Sequence, residues 1–316
     1  MEIAVVGLGR MGLNMSLRML RGGHSVFVNN LTPEPVEEAE SHEAVAINDL
    51  KTIADVMAAP RAVWLMLPAG AITRGVIDEL LEVLEPGDVI VDGANSNYRD
   101  SLANAEAARQ HGVRFVDCGV SGGVWGLEFG YSLMVGGDDD AVAHVEPILR
   151  TLAPSEDVGW GHVGPSGAGH FTKMVHNGIE YGMMQAYAEG FALLEAKRSF
   201  GAAEDVQLDL AKIADTWRTG SVVRSWLLDL AAEAIRQEPG LDSIAPYVAD
   251  SGTGRWTVEE ALDLRVPLPV ITASLFARFA SQDERKYGER LLAALRGQFG
   301  GHPMKEELPD PTDLER

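Results

Sequence analysis

Short apolar runs alternate with amphipathic stretches over the first half of the chain. IAVVG (3–7), SVFVN (25–29), AVWLML (62–67), DVIVDG (88–93), RFVDC (114–118) and SLMVGG (132–137) are rich in β-branched residues and bounded by glycine or polar turns. Runs of this length with helical patterns between them predict a mainly parallel sheet covered by helices. EPGD (85–88) has the residue chemistry of a turn. Near VGPSGAGH (163–170) the pattern changes. Strand signals nearly vanish, and helical periodicity covers 168–199, 204–219, 221–237, 255–264 and 268–296. The chain is therefore expected to form an α/β domain over 1–162, an all-α domain over 163–298, and a polar tail over 299–316. Ser166 or the glycines beside it are expected to cap the long helix at 168. Gly178 and Gly182 lie four apart inside that helix, where each costs about 1 kcal/mol against alanine. Their spacing predicts that backbone or ligand approaches closely there.

The bulk numbers narrow the function. A chain of 316 residues is long enough for two domains with substantial cores. Its 26 basic and 47 acidic residues give a formal charge of −21, which repels nucleic acid and anionic membrane. An anionic substrate then needs a local basic pocket. Cys118 is the single cysteine, so an intrachain disulfide and a cysteine zinc cluster are both excluded. His24, His42, His111, His144, His162 and His170 show no metal spacing, and no metal is expected. MEIAVVGLG reads as a strand opening a domain, and no apolar stretch approaches about 18 residues. The expectation is a soluble, cytoplasmic enzyme or binding protein.

VVGLGRMG places Gly7, Gly9 and Gly12 in the G-x-G-x-x-G spacing directly after a strand and before a helical stretch. Such a loop lets backbone approach a pyrophosphate held at the helix N-terminus, so the first domain is expected to be of Rossmann type. Gly7, Leu8, Gly9, Arg10, Met11 and Gly12 are the candidate cofactor contacts. The second strand ends in VNNLT, with Asn30 near the ribose position and neither acid nor arginine at the turn. Without a cation there, NAD is favoured over NADP. A structural glycine turn is the plain alternative.

FTKMVHNGIEYGMM (171–184) sets polar residues inside an apolar run. Lys173, His176, Asn177 and Glu180 follow the i, i+3, i+4, i+7 series of one helix face, with Tyr181 flanking it. A face carrying a potential base, two hydrogen-bonding groups and a potential acid fits proton transfer. A solvated stripe closed by a Lys–Glu pair is the other reading.

Together with the glycine loop, DGANS (92–96), GVSGG (119–123), GHFTKMVHNGIEYG (169–182), SGTGRWT (251–257), SLFARF (274–279) and RGQFGGH (296–302) resemble the decarboxylating 6-phosphogluconate dehydrogenases. These lie within the wider β-hydroxyacid dehydrogenase group. The resemblance spans nearly the whole chain and looks like the short form of the family. It implies oxidative decarboxylation of 6-phosphogluconate to ribulose 5-phosphate and CO2. Lys173 would act as general base and Glu180 as general acid. Asn95, Ser121, Gly122, Gly123, His176 and Asn177 match positions that hold the sugar acid. Asn95 also borders the cofactor, together with Leu67, Pro68 and Ala69 of the LPAG loop. Tyr181 and Arg278 match phosphate contacts. Arg296 and His302 match a pair supplied by a neighbouring subunit, implying a homodimer or a dimer of dimers. The helical domain would then serve both substrate binding and dimerisation.

One position departs from the pattern. Longer members carry a lysine four residues before the basic residue of GTG[KR]WT, where this chain has Ser251. One phosphate cation is thereby lost, and Arg255 could compensate if its side chain turned inward. The nearest alternative is a β-hydroxyacid dehydrogenase or reductase acting on a small unphosphorylated acid. A catalytically silent dinucleotide-binding sensor is a third reading, against which the paired lysine and glutamate speak.

Overall fold

The fold is taken from a computed structural model, which describes residues 1–199 and 208–300. The chain divides into two compact units, Met1–Asn177 and Gly178–Arg316.

The first unit alternates strand and helix through β1 (Glu2–Val6), α1 (Arg10–Arg21), β2 (Ser25–Asn29), α2 (Glu34–Glu40), β3 (Val45–Ala46), α3 (Ile53–Val56), β4 (Ala62–Leu65), α4 (Ala71–Leu81), β5 (Val89–Asp92) and α5 (Tyr98–Gln110). β6 (Arg114–Ser121), the short α6 (Gly126–Phe129), β7 (Ser132–Gly137), α7 (Asp139–Leu152) and β8 (Trp160–Gly164) complete it. The strands form one sheet in the order β3-β2-β1-β4-β5-β6-β7-β8. All neighbours pair in parallel except β6 and β7, which run antiparallel with Cys118 opposite Val135. The first six positions of that order are those of a doubly wound dinucleotide-binding sheet.

Alternation along each strand feeds two cores. Ile3 and Val5 join Met15, Met19, Val145 and Ile148 on one face; Ala4 and Val6 join Ile77, Leu80 and Ile90 on the other. Each fully buried aliphatic side chain contributes roughly 1.5–3 kcal/mol, so covering both faces fixes the sheet between its helices. This is the expected Rossmann-type domain. Two strands that the apolar pattern did not reveal are β3, only two residues long, and β8, whose WGHVG has a weak strand signal. EPGD does form the expected turn, with Asp88 N–H donating to the Glu85 carbonyl and Gly87 at φ +97°.

Helix α8 (Ala168–Ser199) begins in the first unit and runs unbroken into the second. The second unit continues with α9 (Leu210–Trp217), α10 (Trp226–Gln237), α11 (Thr253–Leu264), α12 (Pro269–Gln282) and α13 (Tyr287–Gly300). It contains no strand among the described residues, in keeping with the expected helical domain.

Three helix readings need correction. The helix expected over 221–237 starts only at Trp226, where the Ser225 hydroxyl accepts from Leu228 N–H as an N-cap. The helix expected over 204–219 spans 210–217 among the described residues, with Asp209 as its N-cap. The single helix expected over 268–296 is two. Asp283 Oδ1 accepts from the Arg285 and Lys286 N–H groups, and Lys286 adopts φ +48°. An aspartate that bonds to following backbone offers the chain a turn in place of the helix. α13 then reaches Gly300; His302 and the remainder of the tail lie outside the described residues.

Candidate active site

Gly7 follows β1 at φ +94°, and a Cβ there would meet the Met66 carbonyl oxygen at 2.5 Å and Leu67 Cδ2 at 2.8 Å. The glycine loop after β1 and the LPAG loop after β4 are therefore packed together, at the point where the strand order reverses. That crevice is where doubly wound sheets bind their ligands. Gly12 lets α1 sit on the loop, since a Cβ there would lie 2.0 Å from the Gly7 carbonyl oxygen. Gly9 differs: a Cβ at this position meets nothing within 4 Å. Gly9 is also the N-cap of α1, has no capping side chain, and is followed by a first turn without acid. An open cradle over N–H groups at a helix N-terminus fits a pyrophosphate.

Asn30, just after β2, supports this loop. Its Oδ1 accepts from Leu8 N–H at 2.9 Å, while Nδ2 donates to the Thr32 carbonyl and hydroxyl, each at 3.1 Å. Leu31 beside it is fully exposed, and Arg10 and Ala69 are exposed too. Met11 packs against the core, and Pro68 accepts from Thr73 Oγ1 at 2.9 Å, which pins the LPAG loop to α4.

The Lys173 cluster forms where α8 crosses the strand ends. A Cβ on Gly119 would lie 2.4 Å from Lys173 Cβ, and one on Gly169 would lie 2.4 Å from the Asp117 carbonyl oxygen. Helix backbone and strand backbone thus touch directly. Lys173 is only 6 % exposed. Its Nζ is 3.5 Å from His176 Nδ1, which is 3.1 Å from Asn177 Oδ1, and His176 Nε2 is 3.4 Å from Ser121 Oγ. The structure therefore brings Lys173, His176, Asn177 and Ser121 into one polar group. Gly122 and Gly123, at φ +149° and +54°, turn the chain away immediately after Ser121.

Asn95, at φ +54°, uses both ends of its amide on one residue. Oδ1 accepts from Val120 N–H at 2.8 Å and Nδ2 donates to the Val120 carbonyl at 3.1 Å, tying the DGANS loop to β6. Asp92 braces the same loop, accepting from Ala94 N–H at 3.0 Å and Ser96 Oγ at 2.9 Å. Burial, reinforced by the Asp117 and Asp92 charges, pushes the Cys118 thiol well above the usual range, away from the thiolate form a nucleophile needs.

The side chain that caps α8 is one that sequence reasoning missed. The carboxylate of Asp117, on β6, accepts from Gly167 N–H at 2.6 Å and His170 N–H at 2.7 Å. Of Ser166 and the glycines beside it, it is Gly167 that stands at the N-cap position, its carbonyl accepting from Phe171 N–H at 2.9 Å. Asp117 supplies the side-chain oxygens that a glycine lacks. A capping carboxylate fifty positions away in sequence leaves no local signature.

A second cluster lies in the second unit. Tyr181 is buried, its hydroxyl 3.1 Å from Ser251 Oγ, which is 3.1 Å from Thr253 Oγ1. The Arg278 guanidinium lies over the Tyr181 ring, with Cζ 3.5 Å from its centroid, and donates to the Ala249 carbonyl at 2.9 Å. Gly254 makes room for the ring, since a Cβ there would meet Tyr181 Cε2 at 2.4 Å. The result is three hydroxyls and one guanidinium around the N-terminus of α11, whose N-cap Gly252 has no capping side chain. Such a set can hold an anion.

Arg255 does not compensate for the missing lysine by turning inward: it pairs with the buried carboxylate of Asp250 and lies over Phe279. Arg296 is exposed on α13 and hydrogen-bonds to none of these groups. Glu180 sits half-buried seven residues, about two turns, after Lys173 on the same helix. Of the two helix glycines, Gly178 meets the expected close approach, with Thr257 Cγ2 2.7 Å from where a Cβ would be. Gly182 has only ordinary contact with Val270 and Ile271.

Comparison with known proteins gives a consistent answer. The family model described as the NAD binding domain of 6-phosphogluconate dehydrogenase matches residues 2–162. That of the 6-phosphogluconate dehydrogenase C-terminal domain matches residues 169–307. An NAD(+)-dependent, decarboxylating 6-phosphogluconate dehydrogenase of Haloferax volcanii is 43 % identical, over 96 % of this chain and 98 % of that protein. A decarboxylating 6-phosphogluconate dehydrogenase of Bacillus licheniformis is 38 % identical, over 97 % of this chain but 66 % of its own length. Among solved structures, the Plasmodium falciparum 6-phosphogluconate dehydrogenase matches with a TM-score of 0.80 and 28 % identity. That match covers all of this chain and 68 % of the other. No helix among the described residues is long and apolar enough to cross a membrane. With both domain models matched in order, and a relative matched nearly end to end, the chain belongs to the 6-phosphogluconate dehydrogenase family.

Proposed function

We propose that this chain oxidatively decarboxylates 6-phosphogluconate to ribulose 5-phosphate and CO2, with NAD favoured over NADP. The observation that carries the reading is a buried Lys173 grouped with His176, Asn177 and Ser121, in a chain of this family. Bound on the glycine loop, an oxidised nicotinamide dinucleotide would supply the hydride acceptor for C3. Lys173 takes the proton of the C3 hydroxyl as that carbon is oxidised to a ketone. The C1–C2 bond then breaks, C1 departing with its two oxygens as CO2. The bonding pair moves through C2 to the C3 ketone oxygen, where Lys173 returns its proton. Glu180 then protonates the carbon of the enediol that lost CO2. Ser121, Gly122, Gly123, His176 and Asn177 orient the sugar acid, and Asn95 holds the loop that borders both ligands.

Tyr181 and Arg278 are assigned to the substrate phosphate, beside the neutral Ser251 and Thr253 hydroxyls. Arg296 and His302 are assigned to the phosphate of a neighbouring subunit, which makes a homodimer or dimer of dimers the active form. Arg278→Met is expected to raise the KM for 6-phosphogluconate by roughly 10- to 100-fold, as loss of a charge-assisted pair worth about 1.5–3 kcal/mol requires. The KM for cofactor should stay within twofold. An unchanged substrate KM would indicate an unphosphorylated hydroxyacid instead.

The cofactor preference rests on Leu31, fully exposed where an arginine would meet a 2′-phosphate. Leu31→Arg is expected to raise the NADP-to-NAD ratio of kcat/KM at least about tenfold, read from initial rates with each cofactor. A ratio that does not move would place the discrimination elsewhere. The direct test of the reaction offers purified protein 6-phosphogluconate with NAD and then NADP, and follows reduced cofactor and CO2 together. Equal yields support the proposal. Reduced cofactor without CO2 would move the activity to the β-hydroxyacid dehydrogenases, and no turnover with either would refute it.

A further inference from the structure

We infer that Asp117 is a positioning residue for the reaction: by capping α8 from the neighbouring strand it sets the height of Lys173 over β6. The inference rests on the assignment of Lys173 as base. Asp117 is fully buried, and no ion-pair partner for it is found among the described residues. Its two oxygens each take a backbone N–H of the α8 N-terminus, from Gly167 and His170. A buried carboxylate is tolerated where such donors and the positive end of a helix receive it. The sequence keeps this arrangement open at some expense to side-chain packing. A Cβ on Gly136 would lie 2.6 Å from Asp117 Oδ1 and 2.7 Å from Gly169 N.

A cap of this kind usually only stabilises a helix, but here geometry gives it a second effect. Lys173 lies six residues beyond Gly167, and its Cβ rests against Gly119, two residues after Asp117 on the same strand. Cap and base thus sit on one helix–strand crossing, with no intervening side-chain layer to absorb a shift. His170, held through its backbone by Asp117, also places its ring Nδ1 2.7 Å from Ser101 Oγ on α5, so the first turn is tied at two points. Slippage of that turn by a fraction of an ångström moves the Lys173 amine against a substrate held by Ser121, Gly122 and Gly123. Misplacement of about 1 Å can cost on the order of 10²-fold in rate.

Asp117→Asn keeps one acceptor and opposes a donor to the other N–H, whereas Asp117→Ala removes both acceptors. The experiment measures kcat, KM for 6-phosphogluconate, the cofactor dissociation constant and Tm for both variants, alongside Lys173→Met. In Asp117→Asn, kcat is expected to fall at least tenfold, with substrate KM and cofactor affinity within threefold of the parent. Asp117→Ala should be slower still, so that the asparagine partly rescues it. Should the alanine variant fail to fold, the asparagine variant decides alone. A kcat within threefold of the parent in a folded variant overturns the inference. So does a fall in kcat matched by an equal loss of cofactor binding, which would mark a general structural defect. If Lys173→Met keeps its turnover, the base assignment fails and this inference with it. If Lys173→Met is dead while the Asp117 variants turn over normally, only the inference about Asp117 fails.

Discussion

Lys173→Met is expected to lower kcat by about 10³-fold or more, while cofactor affinity stays within threefold of the parent. General acid–base catalysis contributes typically 10²- to 10⁴-fold, and in the proposed reaction this lysine serves twice, as base and then as proton donor. Methionine is a suitable replacement because the stem of Lys173 is packed against β6 and the residue is 6 % exposed. It fills the same space without branching, so the helix–strand crossing at Gly119 is undisturbed. Cofactor binding is assigned to the glycine loop and the LPAG loop, so it should persist when the amine is removed. Rapid-mixing measurements of reduced cofactor, with a separate titration of cofactor binding, check both halves. Lost binding in a folded variant would mean that the residue serves the cofactor site and not the proton.

Gly12→Ala is expected to weaken cofactor binding at least about 100-fold, equivalent to about 2.8 kcal/mol. The added Cβ would stand 2.0 Å from the Gly7 carbonyl oxygen and 3.1 Å from Met66 Cβ. Neither neighbour is the end of a flexible side chain, so α1 must move off the loop. Overpacking of this kind costs typically 1–3 kcal/mol, and Tm should fall by several degrees. Gly9→Ala is the control: its Cβ meets no protein atom, so Tm should hold while affinity falls, because the methyl occupies the cradle itself. Titration of cofactor and thermal unfolding of both variants distinguish the two. Equal behaviour would show that the open space above Gly9 is not where the pyrophosphate lies.

The sheet was legible because its strands are apolar on both faces, and such runs stand out wherever glycine and polar turns bound them. β3 and β8 escaped for a physical reason: two residues, or five containing two glycines and a histidine, carry too little hydrophobic signal. The Lys173–His176–Asn177 series was legible because helical periodicity is local. Its cap was not, since Asp117 meets α8 only after the sheet has formed. The break between α12 and α13 hides in a side chain, where Asp283 outcompetes helix for two backbone N–H groups. Ser251 shows the opposite case. The missing lysine could be read directly, but its hydroxyl link to Tyr181 and Thr253 could not, because neither partner's orientation is encoded nearby.

The seam of Gly119, Gly136 and Gly169 has a consequence for how this protein can change. There the proposed base is registered against main chain, whose geometry is shared by every sequence that adopts the sheet. None of the three glycines has a side chain to trim, so any substitution there can only widen the gauge between β6 and α8. The seam is already at its tightest, so change at any of these positions displaces Lys173 in one direction only, away from the strand.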